Sequence, residues 1–102
     1  MKKKSDKSTR VIHTQVNRTD NKENSVPVYL TSSFIFDDAE EMRATFAEER
    51  EGFIYSRFSN PNSSEFIEKM CILEQTEDGM ATASGMSAVF ASFMALLKNG
   101  DH

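Results

Sequence analysis

Residues 86–98 hold the feature that most limits what this chain can fold into. Met86, Val89, Phe90, Phe93, Met94 and Leu97 recur at offsets of three and four, the period of a helix. Ala88, Ala91, Ala95 and Leu96 fill the opposite side, so the helix is apolar or small almost all round. Such a helix belongs where it is buried on every side. A chain of 102 residues with 38% hydrophobic content has too little material for that, since so short a chain hides only roughly 60–68% of its unfolded surface. Cys71 is the sole cysteine, so no disulfide framework offsets the deficit. Support from more polypeptide is expected. The end at Asp101-His102, where a following strand would begin, reads as a cut.

The start of the same helix is the first candidate site. Met80 to Ala83 reads as a short strand, Ser84-Gly85 as a small-residue turn, and the helix follows at once. Such a junction aims unpaired backbone N–H groups and the positive end of the helix dipole at one spot. That spot suits a phosphate.

The remaining chain is judged by what it could add. Residues 1–8 are polar and basic, and are expected to be a disordered tail, with a short helix over 9–14. Nine polar residues fill 17–25, a loop that cannot fold alone. Residues 26–36 are β-branched and aromatic but irregular, and Pro27 removes a ladder donor. Apolar surface of that kind outside a regular element predicts packing on another domain or subunit. Asp37 or Asp38 caps a helix over 38–49, with Glu40 or Glu41 as capping-box partner and Gly52 as its stop. Residues 53–59 read as extended. Asn60 as N-cap and Pro61 at N1 then open a helix that runs to about Thr76, with Cys71 as an inert thiol on its apolar face.

Charge and motifs exclude several classes. Lys and Arg number 12 against 16 Asp and Glu, a net charge of −4, which argues against general nucleic-acid binding. No apolar run approaches the ~20 residues that span a bilayer, and no apolar stretch follows the lysines at 2–4 as in a secretory signal. A soluble, cytoplasmic chain without membrane attachment is expected. No Walker-type or Gly-x-Gly-x-x-Gly motif is present, His13 has no ligand at metal spacing, and no nucleophile–base pairing can be assembled. What remains is Tyr55 and Arg57, two apart on the expected extended segment and so on one face. A phenol beside a guanidinium suits a phosphate, although spacing alone favours a surface arginine beside a half-buried tyrosine.

Taken together, Tyr55-Ser56-Arg57-Phe58-Ser59-Asn60-Pro61 and Ala81-Thr82-Ala83-Ser84-Gly85-Met86-Ser87-Ala88 resemble the Cys/Met-metabolism (trans-sulfuration) family of pyridoxal-phosphate enzymes. Ile12-His13 and Tyr29-Leu30-Thr31-Ser32-Ser33-Phe34 fit the same pattern, so the resemblance covers most of residues 9–102. The run Arg57 to Asn62 looks nearest to the O-acyl-homoserine sulfhydrylase branch. Asn62 stands where many relatives have threonine, and Gln75 where many have glycine.

The resemblance implies an α/β fold of fold-type I, like aspartate aminotransferase. Residues 1–60 would be an N-terminal arm and dimerisation segment, and 61–102 the incomplete beginning of the large pyridoxal-phosphate domain. Gly85 and Met86 would hold the phosphate of the chain's own cofactor, pyridoxal 5′-phosphate. Tyr55 and Arg57 would reach the cofactor of a neighbouring subunit in a dimer or tetramer. The substrate would be an O-acyl-homoserine or related sulfur amino acid, undergoing γ-replacement or γ-elimination. The Schiff-base lysine would lie downstream, so no catalytic residue is expected here and the chain alone would be inactive. The competing class is a small, non-catalytic helical module that binds another protein through its aromatic arm.

Overall fold

The computed structural model describes residues 6–15 and 18–102. Four helices follow one another: α1 (Lys7–His13), α2 (Ala39–Phe46), α3 (Pro61–Glu74) and α4 (Gly85–Leu96). The first begins earlier than expected because Asp6 caps it, its Oδ1 accepting from the Lys7 amide at 2.9 Å. Residues 1–5 of the expected tail lie outside the described residues, while Lys7 and Ser8 are helical.

Helix α2 starts as its sequence dictates. Asp38 Oδ1 accepts from the Glu41 amide at 2.7 Å, and Glu41 Oε2 reaches back to the Asp37 amide at 2.7 Å. Its end differs from the expected Gly52. The helix stops at Phe46, and Glu48 takes the left-handed conformation with φ 58°. The Glu49 amide donates to Ala44 O at 2.9 Å and the Glu48 amide to Thr45 O at 3.2 Å, the paired bonds of a Schellman ending. Gly52 has a different reason to be glycine: a Cβ there would lie 3.0 Å from Thr45 Cγ2.

Helix α3 opens as expected, with Asn60 Oδ1 accepting from the Asn62 amide at 2.9 Å and Pro61 in the first turn. It closes through Gln75 at φ 60°, with Thr76 N donating to Cys71 O at 3.2 Å. Helix α4 ends at Leu96, two residues short of the expected 98, and Leu97 is already extended.

The strand expected at Met80 to Ala83 is absent: no strand occurs among the described residues, and the one bridge pairs Ser33 with Tyr55. A strand needs a neighbour for its N–H and C=O groups, and nothing among the described residues offers 80–83 one. Packing is correspondingly sparse. Among the helices only α1 and α3 touch. Among the described residues only Thr45, Asn60, Pro61 and Glu65 are buried, so no cluster of large apolar side chains forms a core. Cys71 is half-exposed beside Gly79 instead of sitting in a core. The radius of gyration is 17.2 Å, against about 13 Å for a compact domain of this length. The all-round apolar helix α4 is solvent-exposed throughout.

Candidate phosphate-binding site

The N-terminus of α4 is assembled from serines. Ser84 Oγ accepts from the Ser87 amide at 3.1 Å and pairs with Ser87 Oγ at 2.9 Å. Ser84 O takes the Ala88 amide at 3.2 Å, while Thr82 Oγ1 donates to that same carbonyl at 2.8 Å. The cap therefore uses the amides of Ser87 and Ala88. Those of Gly85 and Met86 make no hydrogen bond within the described residues. These two were the amides expected from the sequence. Around Gly85 there is open space, with no atom within 4 Å of an added Cβ, so a ligand can approach its backbone.

Tyr55 and Arg57 do come together, though not as alternate residues of a strand. The chain turns after Tyr55: its carbonyl accepts from the Phe58 amide at 2.8 Å and the Ser59 amide at 3.1 Å. The turn folds Arg57 back over the Tyr55 ring, with the guanidinium carbon 5.0 Å from the ring centroid. Tyr55 is half-buried and Arg57 exposed. Arg43 and Arg50 are ion-paired, to Glu40 and Glu49 and to Glu41 respectively, whereas no carboxylate pairs with Arg57 among the described residues. An exposed, unneutralised guanidinium stacked on a phenol fits an incoming phosphate.

Two asparagines escaped the sequence reading as site components. Asn62 Oδ1 accepts from the Tyr29 amide at 2.8 Å and its Nδ2 donates to Pro27 O at 2.7 Å. Asn60, besides capping α3, donates to Tyr29 O at 3.2 Å and to Ser56 Oγ at 3.0 Å. Ser56 in turn donates its amide to Ser32 O at 2.9 Å and its hydroxyl to Thr31 O. The arm is thus stitched to the segment that bears Tyr55 and Arg57. Three of its apolar side chains, Val28, Leu30 and Ile35, still face outward, Leu30 being 94% and Ile35 96% exposed. Phe34 pairs with Phe53 at 5.3 Å between ring centroids, and Phe36 with Phe46 at 6.3 Å.

The two halves of the site remain apart. No hydrogen bond, ion pair or ring contact joins Tyr55 or Arg57 to residues 84–88, and α4 touches no other helix. Among the described residues no group of three or more His, Cys, Asp or Glu side chains could hold a metal ion.

Comparison with known proteins identifies what this arrangement is similar to. A family model described as Cys/Met metabolism PLP-dependent enzyme matches residues 8–102. An L-methionine gamma-lyase of Fusobacterium nucleatum is 44% identical over 78 residues, 76% of this chain and 20% of the relative. An O-succinylhomoserine sulfhydrylase of Pseudomonas aeruginosa is also 44% identical, over 85 residues, 83% of this chain and 21% of its own length. A crystal structure of a Campylobacter jejuni protein assigned as an O-acetylhomoserine (thiol)-lyase superposes with a TM-score of 0.86 and 32% identity. It covers 95% of this chain and 23% of its own, and it holds N′-pyridoxyl-lysine-5′-monophosphate. The chain spans about a fifth of the length of the curated relatives it matches. A gamma-lyase and a sulfhydrylase thus match this chain at the same identity.

Proposed function

Because the chain belongs to the Cys/Met metabolism PLP-dependent enzyme family, we propose that it carries the phosphate-anchoring part of an enzyme acting on an O-acyl-homoserine or related sulfur amino acid. The reaction would be γ-replacement or γ-elimination. The observation that carries this reading is the pair of open amides, Gly85 and Met86, at a helix start whose other first-turn amides are already capped. Both amides and the dipole of α4 face the same small volume, with the Ser84 and Ser87 hydroxyls alongside. Pyridoxal phosphate, when bound, supplies the electron sink that eases loss of the substrate's α-proton and γ-substituent. The residues of this chain hold its phosphate and orient it; none is assigned a step in the chemistry.

Arg57 supplies two directed N–H groups and a full charge to the phosphate, and Tyr55 a phenolic hydroxyl. We assign them to the cofactor of a second copy in a homo-oligomer. That reading is supported by the separation of the two half-sites within one chain and by the exposed arm at 26–36, which needs a surface to cover it. No helix among the described residues is long and apolar enough to cross a membrane, and a cytoplasmic location belongs to the same reading.

The test is catalytic. Full-length protein supplied with pyridoxal 5′-phosphate is assayed with O-acetyl- or O-succinylhomoserine plus sulfide, and separately with L-methionine. Turnover in either assay is the expected result. A protein that retains the cofactor and turns over none of these substrates would overturn the assignment.

A further inference from the structure

We propose that Asn60 and Asn62, in the first turn of α3, are positioning residues that set the place of the Tyr55–Arg57 clamp; this rests on the phosphate-anchoring reading above. The clamp has no regular element beneath it. Tyr55 sits in a lone bridge to Ser33, and Arg57 lies in the turn that follows. A turn on an isolated bridge is held only by what is bonded to its flanks. Those flanks are Ser56, between the two clamp residues, and the arm at 27–33.

The two asparagines bind both flanks to one rigid object, the start of a helix of 14 residues. Asn60 is 7% exposed, and one amide nitrogen serves both Ser56 Oγ and Tyr29 O. Asn62 binds the arm as a neighbouring strand would, taking the Tyr29 amide and giving to Pro27 O. The arm then returns the favour, since Ser32 O and Thr31 O accept from the Ser56 amide and hydroxyl. The side-chain hydrogen bonds that tie the start of α3 to Ser56 therefore run through an asparagine amide, directly or by way of the arm. Arg57, the next residue, projects from this fixed point. A phosphate clamp gains affinity by having its donors already in place, because the ordering cost is met before the ligand arrives.

The variants that separate this role from plain stability are Asn60→Ser and Asn62→Ala. Serine keeps the N-cap, being as good a capping residue as asparagine, but lacks the amide that reaches Tyr29 O and Ser56 Oγ. The probes are pyridoxal 5′-phosphate and pyridoxal, bound to full-length apoprotein. A positioning role lowers the affinity for the phosphate-bearing ligand alone, roughly threefold to tenfold, the reach of one or two hydrogen bonds. A merely structural role lowers both affinities by the same factor, and that result overturns the proposal, as does no change in either. Arg57→Ala is measured beside them. If it lowers the ratio of the two affinities while Asn60→Ser and Asn62→Ala leave the ratio intact, only the positioning role fails. If Arg57→Ala leaves the ratio intact, the clamp itself is refuted and the asparagine proposal falls with it.

Discussion

Arg57 rests on the ring of Tyr55, its guanidinium carbon 5.0 Å from the ring centroid, and the turn between them is closed by Tyr55 O. The guanidinium is held over the ring while the side chain stays exposed to solvent.

In the full-length protein, Arg57→Ala is expected to weaken pyridoxal 5′-phosphate binding roughly tenfold to a hundredfold, the effect of losing one or two charge-assisted hydrogen bonds. Arg57→Lys restores the charge but neither the fork nor the flat stack, so recovery should be partial. Equilibrium dialysis of the apoprotein checks both. Equal affinity in wild type and both variants would remove Arg57 from the site.

Tyr55→Phe separates the ring from the hydroxyl. The stack survives and one hydrogen bond is lost, so a drop in cofactor affinity of roughly twofold to tenfold is expected. A loss as large as that of Arg57→Ala would mean that the ring alone does not hold the guanidinium.

Ser84→Ala removes the cap of α4 and should destabilise the helix start by about 1 kcal/mol. The Ser87 amide, now satisfied by Ser84 Oγ at 3.1 Å, becomes exchangeable. Amide hydrogen exchange reads the change at a single residue. Unaltered protection of Ser87 would show that the cap contributes nothing.

Gln75→Gly should stabilise the end of α3. Gln75 sits at φ 60°, where a side chain costs roughly 1–2 kcal/mol and glycine little, offset by roughly 0.4–1 kcal/mol of extra freedom in the unfolded chain. The net gain expected is roughly 0 to 1.6 kcal/mol, visible as a higher denaturant midpoint. A lower midpoint would mean that the glutamine side chain makes a contribution of its own.

Glu23 gives the pH dependence. Its carboxylate takes the Thr19 hydroxyl at 2.6 Å, the Thr19 amide at 2.9 Å and Gln15 Nε2 at 3.0 Å. Those bonds, the Thr19 hydroxyl first, lower its pKa from 4.5 to about 2. A depressed carboxylate pKa stabilises the folded loop fully above the unfolded value of 4.5, and that support is lost as pH falls through about 2. The turn at Thr19–Lys22 should thus hold at pH 4 and open towards pH 2, with Glu23→Gln abolishing the transition. Carboxyl carbon NMR of Glu23 measures it, and a midpoint near 4.5 would contradict the network.

Much of the fold could be read from local chemistry because helix starts are written locally. Asp38 and Asn60-Pro61 each act within three residues of themselves and begin the helix they were expected to begin, while Ser84, read as part of a turn, caps a helix that starts at Gly85, one residue before the expected 86. Endings were harder. Glu48 and Gln75 adopt a left-handed conformation that glycine would advertise and these residues do not. The strand at 80–83 failed for a different reason, since its pattern is local but its hydrogen bonds must come from elsewhere. Tyr55 and Arg57 were correctly paired on a mistaken geometry: alternation along a strand was expected, and a turn with ring stacking achieves the proximity. Asn62 was unreadable as a partner of Pro27 and Tyr29, because a contact across 35 and 33 positions leaves no periodic trace.

That last contact has a consequence for the lengths this chain can tolerate. One side-chain amide meets a carbonyl at 27 and an N–H at 29, so it works as a gauge set to one step of extended backbone. Adding or deleting a single residue between Pro27 and Ser33 would slide every later arm residue past the gauge and detach Ser32 from Ser56. The turn at 19–22 lies outside that span and closes on itself through Thr19 and Glu23. Length variation should therefore be admitted around the 19–22 turn and refused between Pro27 and Ser33, which makes insertion scanning a map of where this arm is measured.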